Sequence, residues 1–235
     1  MAAHGELRER VCEANREIVR AGLVVLTFGN VSGVDRDAGV LAIKPSGVAY
    51  DELRPETIVV VDLETGETVT GSHRASSDTP THRVLYRCFG EIGGIVHTHS
   101  AVATAWAQAG RDLPCLGTTH ADHFRGPVPV TRALTVAEIH GDYEARTGDV
   151  IVETFEQHGI DPLETPAVLV VSHGPFAWGA GVEDAVENAI ALETVASIAL
   201  DTVALRADVE ALDEDLHARH FSRKHGPGAY YGQPQ

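Results

Sequence analysis

The 235-residue sequence is poor in cysteine and in basic charge, and each shortage excludes a class of protein. The three cysteines Cys12, Cys88 and Cys115 lie far apart, which excludes a disulfide framework and a zinc site built on closely spaced cysteines. The formal net charge of -16 argues against a nucleic acid partner, because such binding needs a clustered basic surface. No run approaches the ~18 apolar residues of a membrane span, so we expect no membrane partner.

Lysine occurs only twice, as Lys44 and Lys224, and the sequence around neither one indicates an apolar pocket. A Schiff-base mechanism, which needs a lysine with a depressed pKa, is therefore disfavoured. The N-terminus lacks a basic region followed by an apolar one, so we expect no secretory signal and a cytoplasmic location. A hydrophobic content of 43% is typical of a globular chain, and the length predicts one domain over residues 1–235.

Two histidines stand in the stretch Gly93-Gly94-Ile95-Val96-His97-Thr98-His99-Ser100, which predicts a short strand after a glycine pair. Alternate side chains of a strand share one face, so the two imidazoles point the same way, about 6–7 Å apart. Neutral histidine is the commonest zinc ligand, and the pair can begin a metal site. Taken alone, the spacing more often marks a solvated or hydrogen-bonded pair.

Two further stretches offer metal ligands. His173 follows the continuous apolar run 167–171, which predicts a buried central strand that ends at this histidine. Pro80, preceded by Ser77 and Asp78, predicts the start of a helix. Asp78 can simply cap that helix, or it can supply a metal ligand while the helix N-terminus holds an anion.

Turns rich in small residues suggest a phosphate site. The segments 29–33 and 44–47 are glycine-containing turns in which backbone N–H groups can approach a ligand, and Lys44 is placed to meet a phosphate. A tight turn and a surface lysine are the alternatives. The stretch 116–123 predicts a polar loop dense in titratable groups, and residues 219–235 gather basic and aromatic side chains after the last long helix.

Apolar spacing and turn residues predict the remaining elements. Strands are expected at 40–43 and at 57–61, the latter as part of a hairpin that reaches residue 70. Helices are expected over 6–21, from Pro80 to about Phe89, over 100–109, from a capping box at Thr135 to about Tyr143, over 148–158 and over 182–206.

Taken together and in this order, the motifs resemble those of the class II aldolase and sugar-phosphate epimerase family, and the resemblance covers nearly the whole chain. The motifs that carry it are Gly-Asn-Val-Ser at 29–32, Ile-Lys-Pro-Ser-Gly at 43–47, Ser-Ser-Asp-Thr-Pro-Thr-His-Arg at 76–83, Gly-Gly-Ile-Val-His-Thr-His-Ser at 93–100, Gly-Thr-Thr-His-Ala-Asp at 117–122, Val-Ile-Val-Glu-Thr-Phe-Glu at 150–156, Ser-His-Gly-Pro-Phe-Ala-Trp-Gly at 172–179, and Arg-Lys-His-Gly with Ala-Tyr-Tyr-Gly-Gln near the end. 

The resemblance implies a single α/β domain with a central, largely antiparallel β-sheet flanked by α-helices in three layers. It implies a homotetramer with sites at the subunit interfaces and one divalent ion per subunit, Zn²⁺ with Mn²⁺ or Co²⁺ as alternatives. The implied metal ligands are Asp78, His97, His99 and His173. Asp122 and Tyr231 fall at acid/base positions and would come from a neighbouring subunit. The implied substrate and phosphate positions are Gly29, Asn30, Lys44, Ser46, Gly47, Ser76, Ser77 and Thr118.

The implied activity is the interconversion of L-ribulose 5-phosphate and D-xylulose 5-phosphate, in the catabolism of L-arabinose. The hydrogen at C4 is not acidic, because the carbonyl is two carbons away at C2, so inversion requires cleavage and re-formation of the C3–C4 bond. The first alternative is a metal-dependent aldolase on the same fold that releases the two fragments. The second is a non-catalytic scaffold domain of the same fold, against which the retained histidines, Asp78 and Asp122 argue.

Overall fold

Seven strands form one antiparallel sheet at the centre of the computed structural model, which describes residues 4–225 and 229–230. The strands are β1 (Asn30–Asp35), β2 (Val40–Ile43), β3 (Val59–Asp62), β4 (Thr68–Thr70), β5 (Gly94–His97), β6 (Ala167–Val170) and β7 (Gly174–Gly179). Their order across the sheet is β4-β3-β2-β1-β5-β7-β6. Every neighbouring pair is antiparallel, which confirms the sheet expected from the family resemblance.

Helices cover both faces of this sheet. They are α1 (Gly5–Arg20), α2 (Thr79–Cys88), α3 (Ala101–Gln108), α4 (Thr118–Ala121), α5 (Val136–His140), α6 (Tyr143–His158), α7 (Val182–Leu205) and α8 (Glu214–Lys224). Short 3-10 turns occupy Tyr50–Glu52 and Pro55–Thr57. One face packs against α1, α3 and α7, and the other against α2 and α6. The three-layer α/β/α architecture is thereby confirmed.

The apolar runs of the strands explain why both faces are covered. In β3, Val60 belongs to the core on the α1 side, while Val59 and Val61 belong to the core on the α2 side. The same alternation separates Ile95 from Val96 in β5. When the residues on both faces of a strand are apolar, both faces must be buried. A helical layer on each side of the sheet therefore follows from the sequence.

The glycine pair before β5 has a packing role. A Cβ atom on Gly94 would lie 2.5 Å from both the carbonyl oxygen of Gly181 and the Cα of Val182, at the start of α7. Backbone atoms cannot yield as a flexible side chain can. Gly94 therefore lets the N-terminus of α7 cross directly over the strand that ends at His97.

Three expectations about individual elements are wrong in part, and one helix was not expected. The strand before His173 is not central: β6 is an edge strand, and its edge is covered by residues 129–131, which hydrogen-bond to Leu169. The stretch expected to be a polar loop contains the helical turn α4. The helix expected to begin at 148 begins at Tyr143, and α8 was not expected because polar residues on all sides obscure its periodicity.

Helix α7 also corrects the expectation about membrane-length segments. By length and composition alone, Val182–Leu205 is apolar enough to cross a membrane. About 33% of its apolar window is buried, and buried residues such as Val186 and Leu192 join the core beneath α1 and α3. A long helix packed on a sheet is typical of a globular core, and α7 lies in the predicted range of 182–206.

Candidate functional site

Five strands begin or end along one side of the sheet, which we call the strand-end edge to distinguish it from the edge strands β4 and β6. Because neighbours are antiparallel, the start of β1 lies beside the ends of β2 and β5, and the turn from β6 to β7 lies next to them. Asn30 of β1 is the direct partner of His97 of β5, and His97 in turn pairs with Phe176 of β7. His173 lies in the β6–β7 turn at the same edge. Residues far apart in sequence therefore meet here.

Three histidines at this edge form a triangular cluster, the triad His97, His99 and His173. One ring nitrogen from each lies within 4.8 Å of the others. The ring centroids are 5.0, 4.8 and 5.1 Å apart, and each pair of rings is inclined by 70–72°. The Nε2 atoms of His97 and His99 are 3.2 Å apart. Two ligands of a tetrahedral zinc ion with Zn–N of about 2.0–2.1 Å stand roughly 3.3 Å apart, so the triad fits a divalent metal.

The protonation of the triad suits metal binding. Burial, with a smaller effect of neighbouring His173, lowers the pKa of His97 to about 3. Burial also lowers the pKa of His99 and of His173. The Nδ1 atom of His97 lies 2.9 Å from the backbone oxygen of Pro175 and donates to it, so Nε2 carries the free lone pair. A neutral imidazole oriented in this way is ready to bind a cation.

Two side chains outside the sequence prediction hold the triad. The ring of Phe176 stacks on His97 with a centroid distance of 4.1 Å. The Tyr143 hydroxyl lies 3.5 Å from Nδ1 of His173, which directs the other nitrogen of this ring toward the cluster. Tyr143 opens α6. No residue spacing in the sequence predicts the contact of Tyr143 with His173. The contact of Phe176 with His97 can be identified once the register of β5 and β7 is known.

Asp78 stands beside the triad and does not act as a simple helix cap. It precedes α2, yet its side chain accepts no hydrogen bond from the first turn of that helix. Its carboxylate instead accepts a 2.6 Å hydrogen bond from Nδ2 of Asn30. Burial raises the pKa of Asp78, but the charges of His97 and His82 and the bond from Asn30 outweigh it and lower the pKa overall. Asp78 lies outside the group of three whose ligand atoms are mutually close.

Asn30 is buried and carries an unsatisfied acceptor. Its side-chain amide donates to Asp78 and, at 3.2 Å, to the hydroxyl of Ser76. The oxygen Oδ1 is buried without a partner among the described residues. Such an oxygen is costly unless a ligand supplies a donor. This oxygen is suited to the expected contact with the substrate.

Lys44 lies deeper than the sequence suggested. It is 2% exposed, and its Nζ donates to the backbone oxygen of Pro45 at 3.3 Å and lies 4.7 Å from the centre of the Tyr50 ring. Within the described chain it forms no ion pair, and burial alone lowers its pKa. The alternative of a surface lysine is therefore wrong for Lys44. A buried ammonium without a carboxylate is suited to an anionic ligand.

The turns expected to bind phosphate lie around Lys44. A bridge between Pro45 and Ala75 joins the two segments, and the N–H of Ser76 donates to the carbonyl of Lys44. The segments that carry the expected positions Ser46 and Ser76 are thus neighbours, while Ser77 follows Ser76 and is exposed. Gly47 and Gly29 have positive φ values of 71° and 109°. A Cβ on Gly29 would lie 2.9 Å from the carbonyl oxygen of His97, so this turn packs directly against the backbone of His97.

Asp122 belongs to a second cluster, formed with α8. Its carboxylate accepts a 2.9 Å hydrogen bond from Nε of Arg223 and a 3.1 Å bond from Nδ1 of His220. Burial raises the pKa of Asp122, but Arg223 and His220 outweigh it and hold the pKa below its usual range. Within the described residues, no hydrogen bond or ion pair joins Asp122 to the triad. Thr118 begins α4, the same short helix that Asp122 follows. Tyr231 lies outside the described residues.

Comparisons with known proteins agree on the family and the fold. The family model described as class II aldolase and adducin N-terminal domain matches residues 9–200. The chain is 50% identical over 228 residues to a protein named L-ribulose-5-phosphate 4-epimerase UlaF from Salmonella paratyphi C, which covers 97% of this chain and 99% of the relative. The protein of the same name from Salmonella typhi matches at the same identity and coverage.

Two solved structures share the architecture. An L-fuculose 1-phosphate aldolase superposes with a TM-score of 0.77 at 23% identity, over 92% of this chain and 94% of the other, and shows the fold alone. YgbL from Klebsiella pneumoniae, a putative aldolase/epimerase/decarboxylase, superposes with a TM-score of 0.70 at 26% identity, over 91% and 97% of the two chains.

Proposed function

Because this chain belongs to the class II aldolase and adducin N-terminal domain family, we propose that it is an epimerase that interconverts L-ribulose 5-phosphate and D-xylulose 5-phosphate. The observation that carries the proposal is 50% identity along almost the full length of relatives named for this epimerisation. The complete histidine triad supports a catalytic chain over a scaffold domain of the same fold. The family resemblance expected from the motifs is confirmed.

The reaction breaks the C3–C4 bond of the ketose phosphate, turns the aldehyde fragment and re-forms the bond on its other face. A divalent ion at the triad supplies Lewis-acid stabilisation of the negative charge that develops on the ketone fragment. His97, His99 and His173 hold this ion, which we propose to be Zn²⁺ because three imidazoles suit it, with Mn²⁺ or Co²⁺ as alternatives. Asp78, which lies beside the triad, would add a carboxylate at the same site.

The phosphate stays anchored while the aldehyde end turns. Lys44 binds it, as supported by its burial and by the lack of a carboxylate partner among the described residues, and backbone N–H groups of the surrounding turns add donors. The unsatisfied oxygen of Asn30 accepts a hydrogen bond from a sugar hydroxyl. The remaining positions proposed to contact substrate or its phosphate are Gly29, Ser46, Gly47, Ser76, Ser77 and Thr118.

Two groups on opposite sides of C4 exchange its hydroxyl proton. On cleavage this hydroxyl loses a proton as the aldehyde forms, and the aldehyde oxygen regains one when the bond is made from the other face. We propose Asp122 and Tyr231 for these roles, contributed by a neighbouring subunit of a homotetramer. Among the described residues, the Asp122 carboxylate is bonded to His220 and Arg223 and not to the triad of its own chain, which fits a site shared between subunits. We propose a cytoplasmic location for the enzyme.

Product analysis separates this function from the aldolase alternative. Purified, metal-replete protein is incubated with L-ribulose 5-phosphate, and D-xylulose 5-phosphate and free glycolaldehyde phosphate are measured over time. The proposal expects D-xylulose 5-phosphate as the major product with only traces of the free aldehyde. Glycolaldehyde phosphate as the major product would overturn the epimerase in favour of the aldolase.

A further inference from the structure

A single carboxylate interrupts the apolar middle of α7. Glu193 stands between Leu192 and Thr194 in a segment rich in alanine, valine and isoleucine. Its carboxylate accepts three hydrogen bonds: from the Ser100 hydroxyl at 2.7 Å, from the Val102 N–H at 2.8 Å and from the Ala103 N–H at 2.9 Å. All three donors lie within four residues of His99.

These bonds replace the usual cap of α3. The first N–H groups of a helix lack partners within the helix, and a serine just before it commonly supplies one. Ser100 occupies that position, but its side chain caps no N–H and donates to Glu193 instead. A carboxylate at a helix N-terminus also interacts favourably with the helix dipole. Glu193 therefore fixes the backbone immediately after His99.

His99 depends on its backbone more than the other two histidines of the triad do. His97 is held by the Pro175 carbonyl and stacked on Phe176, and His173 lies at hydrogen-bond distance from Tyr143. Among the described residues, His99 has a ring hydrogen-bond contact only with His97 itself, and its aromatic neighbour outside the triad, Phe28, has its ring centre 6.1 Å away. Within this part of the chain, no hydrogen-bond partner outside the triad orients the His99 ring.

We propose that Glu193 is a positioning residue of the metal centre, which sets the place of His99 by capping α3 and so tunes the affinity of the triad for its metal. The inference rests on the metal site of the proposed function, but not on which sugar phosphate is turned over. It assigns a role in the metal centre to a helix, α7, that supplies none of the triad.

Titration with Co²⁺ tests this role, because bound Co²⁺ reports its coordination through its visible absorption. Glu193→Gln keeps the shape of the side chain but turns one acceptor into a donor, and Glu193→Ala removes all three bonds. Asp201→Asn is the matched control, since it neutralises an exposed carboxylate of the same helix. We expect the Co²⁺ dissociation constant to rise about tenfold or more in Glu193→Ala, less in Glu193→Gln and not at all in Asp201→Asn.

Thermal unfolding without metal, run in parallel, separates positioning from a purely structural effect. A Glu193 variant with a lower Tm but wild-type Co²⁺ affinity and spectrum would overturn the proposal. If Glu193→Ala does not fold, Glu193→Gln and Ser100→Ala, which removes one bond, decide the question by the same comparison. A failure of the wild type to turn over L-ribulose 5-phosphate would refute the proposed function and leave these affinities fully interpretable.

Discussion

Replacing Lys44 by Met should stabilise the ligand-free protein while it weakens substrate binding. Lys44 is 2% exposed as a residue, and its ammonium group makes its one hydrogen bond, within the described chain, to the carbonyl of Pro45. A charge buried without a counter-charge opposes folding, and burial lowers the pKa of this lysine for the same reason. Methionine fills a similar volume without the charge.

The two effects can be put on a scale. Relief of an imperfectly paired buried polar group is worth about 1–3 kcal/mol in protein variants. For a chain of this size, each kcal/mol raises Tm by about 2–4 °C. A hydrogen-bonded contact to a charged group contributes about 1.5–3 kcal/mol, so loss of the phosphate contact should lower kcat/KM by roughly 10–150-fold.

Thermal unfolding and steady-state kinetics of Lys44→Met test both effects. Inorganic phosphate should raise the Tm of the wild type and leave that of the variant almost unchanged. Arg87→Met, which removes an exposed positive charge elsewhere, is the control and should change neither property. A variant that is less stable than the wild type, or one that retains wild-type kcat/KM, would refute the reasoning.

Lys44 also makes the free energy of unfolding depend on pH, and its lowered pKa determines the sign of this dependence. Its folded-state pKa is below the ordinary value of 10.5, so the unfolded chain binds the proton more tightly in the interval between the two. The free energy of unfolding of the ligand-free wild type should therefore gain a contribution as pH rises through that interval. Lys44→Met should lack this gain, and equal pH slopes for the two proteins would contradict it.

Three further substitutions test the site and the fold. His97→Asn should lose metal and activity together, measured by metal analysis and turnover, and retention of stoichiometric metal would contradict its role. Asp122→Asn should keep metal and fold but lose about 10²–10⁴ in kcat, and near wild-type kcat would refute the assignment of Asp122 as an acid/base group. Gly94→Ala should lower the free energy of unfolding by about 2–4 kcal/mol in denaturant titration, because its Cβ meets the backbone of α7. Gly90→Ala, with nothing within 4 Å of the new Cβ, should change it little, and equal effects would contradict the packing role of Gly94.

Local patterns of the sequence were sufficient for most elements. The apolar spacing of α1 and α7 has a helical period that a short window reveals, and β2 and β3 contain short continuous apolar runs buried on both faces. The capping box at Thr135 is present as predicted. What such patterns could not give was the order of strands: β6 reads as a central strand because it is apolar throughout, yet it is an edge strand covered by residues 129–131.

The three histidines of the triad lie close together because of the register of the strands and not because of a local sequence pattern. His97 and His99 share a strand end, but His173 reaches them only because β7 pairs with β5 and returns the chain to the same edge. Family resemblance supplied that link where spacing could not. The burial of Lys44 also follows from tertiary packing. The same is true of the hydrogen bond between Asp122 and Arg223, because these two residues lie far apart in the sequence.

The measurement that tests the account most directly is the turnover of L-ribulose 5-phosphate before and after removal of metal. The purified, metal-replete protein is assayed for D-xylulose 5-phosphate, treated with a chelator, assayed again and then resupplied with Zn²⁺. The account predicts turnover that the chelator abolishes and the ion restores. Unchanged turnover in a protein shown to be free of metal would contradict the role of the triad, and absence of turnover in the metal-loaded protein would contradict the proposed reaction.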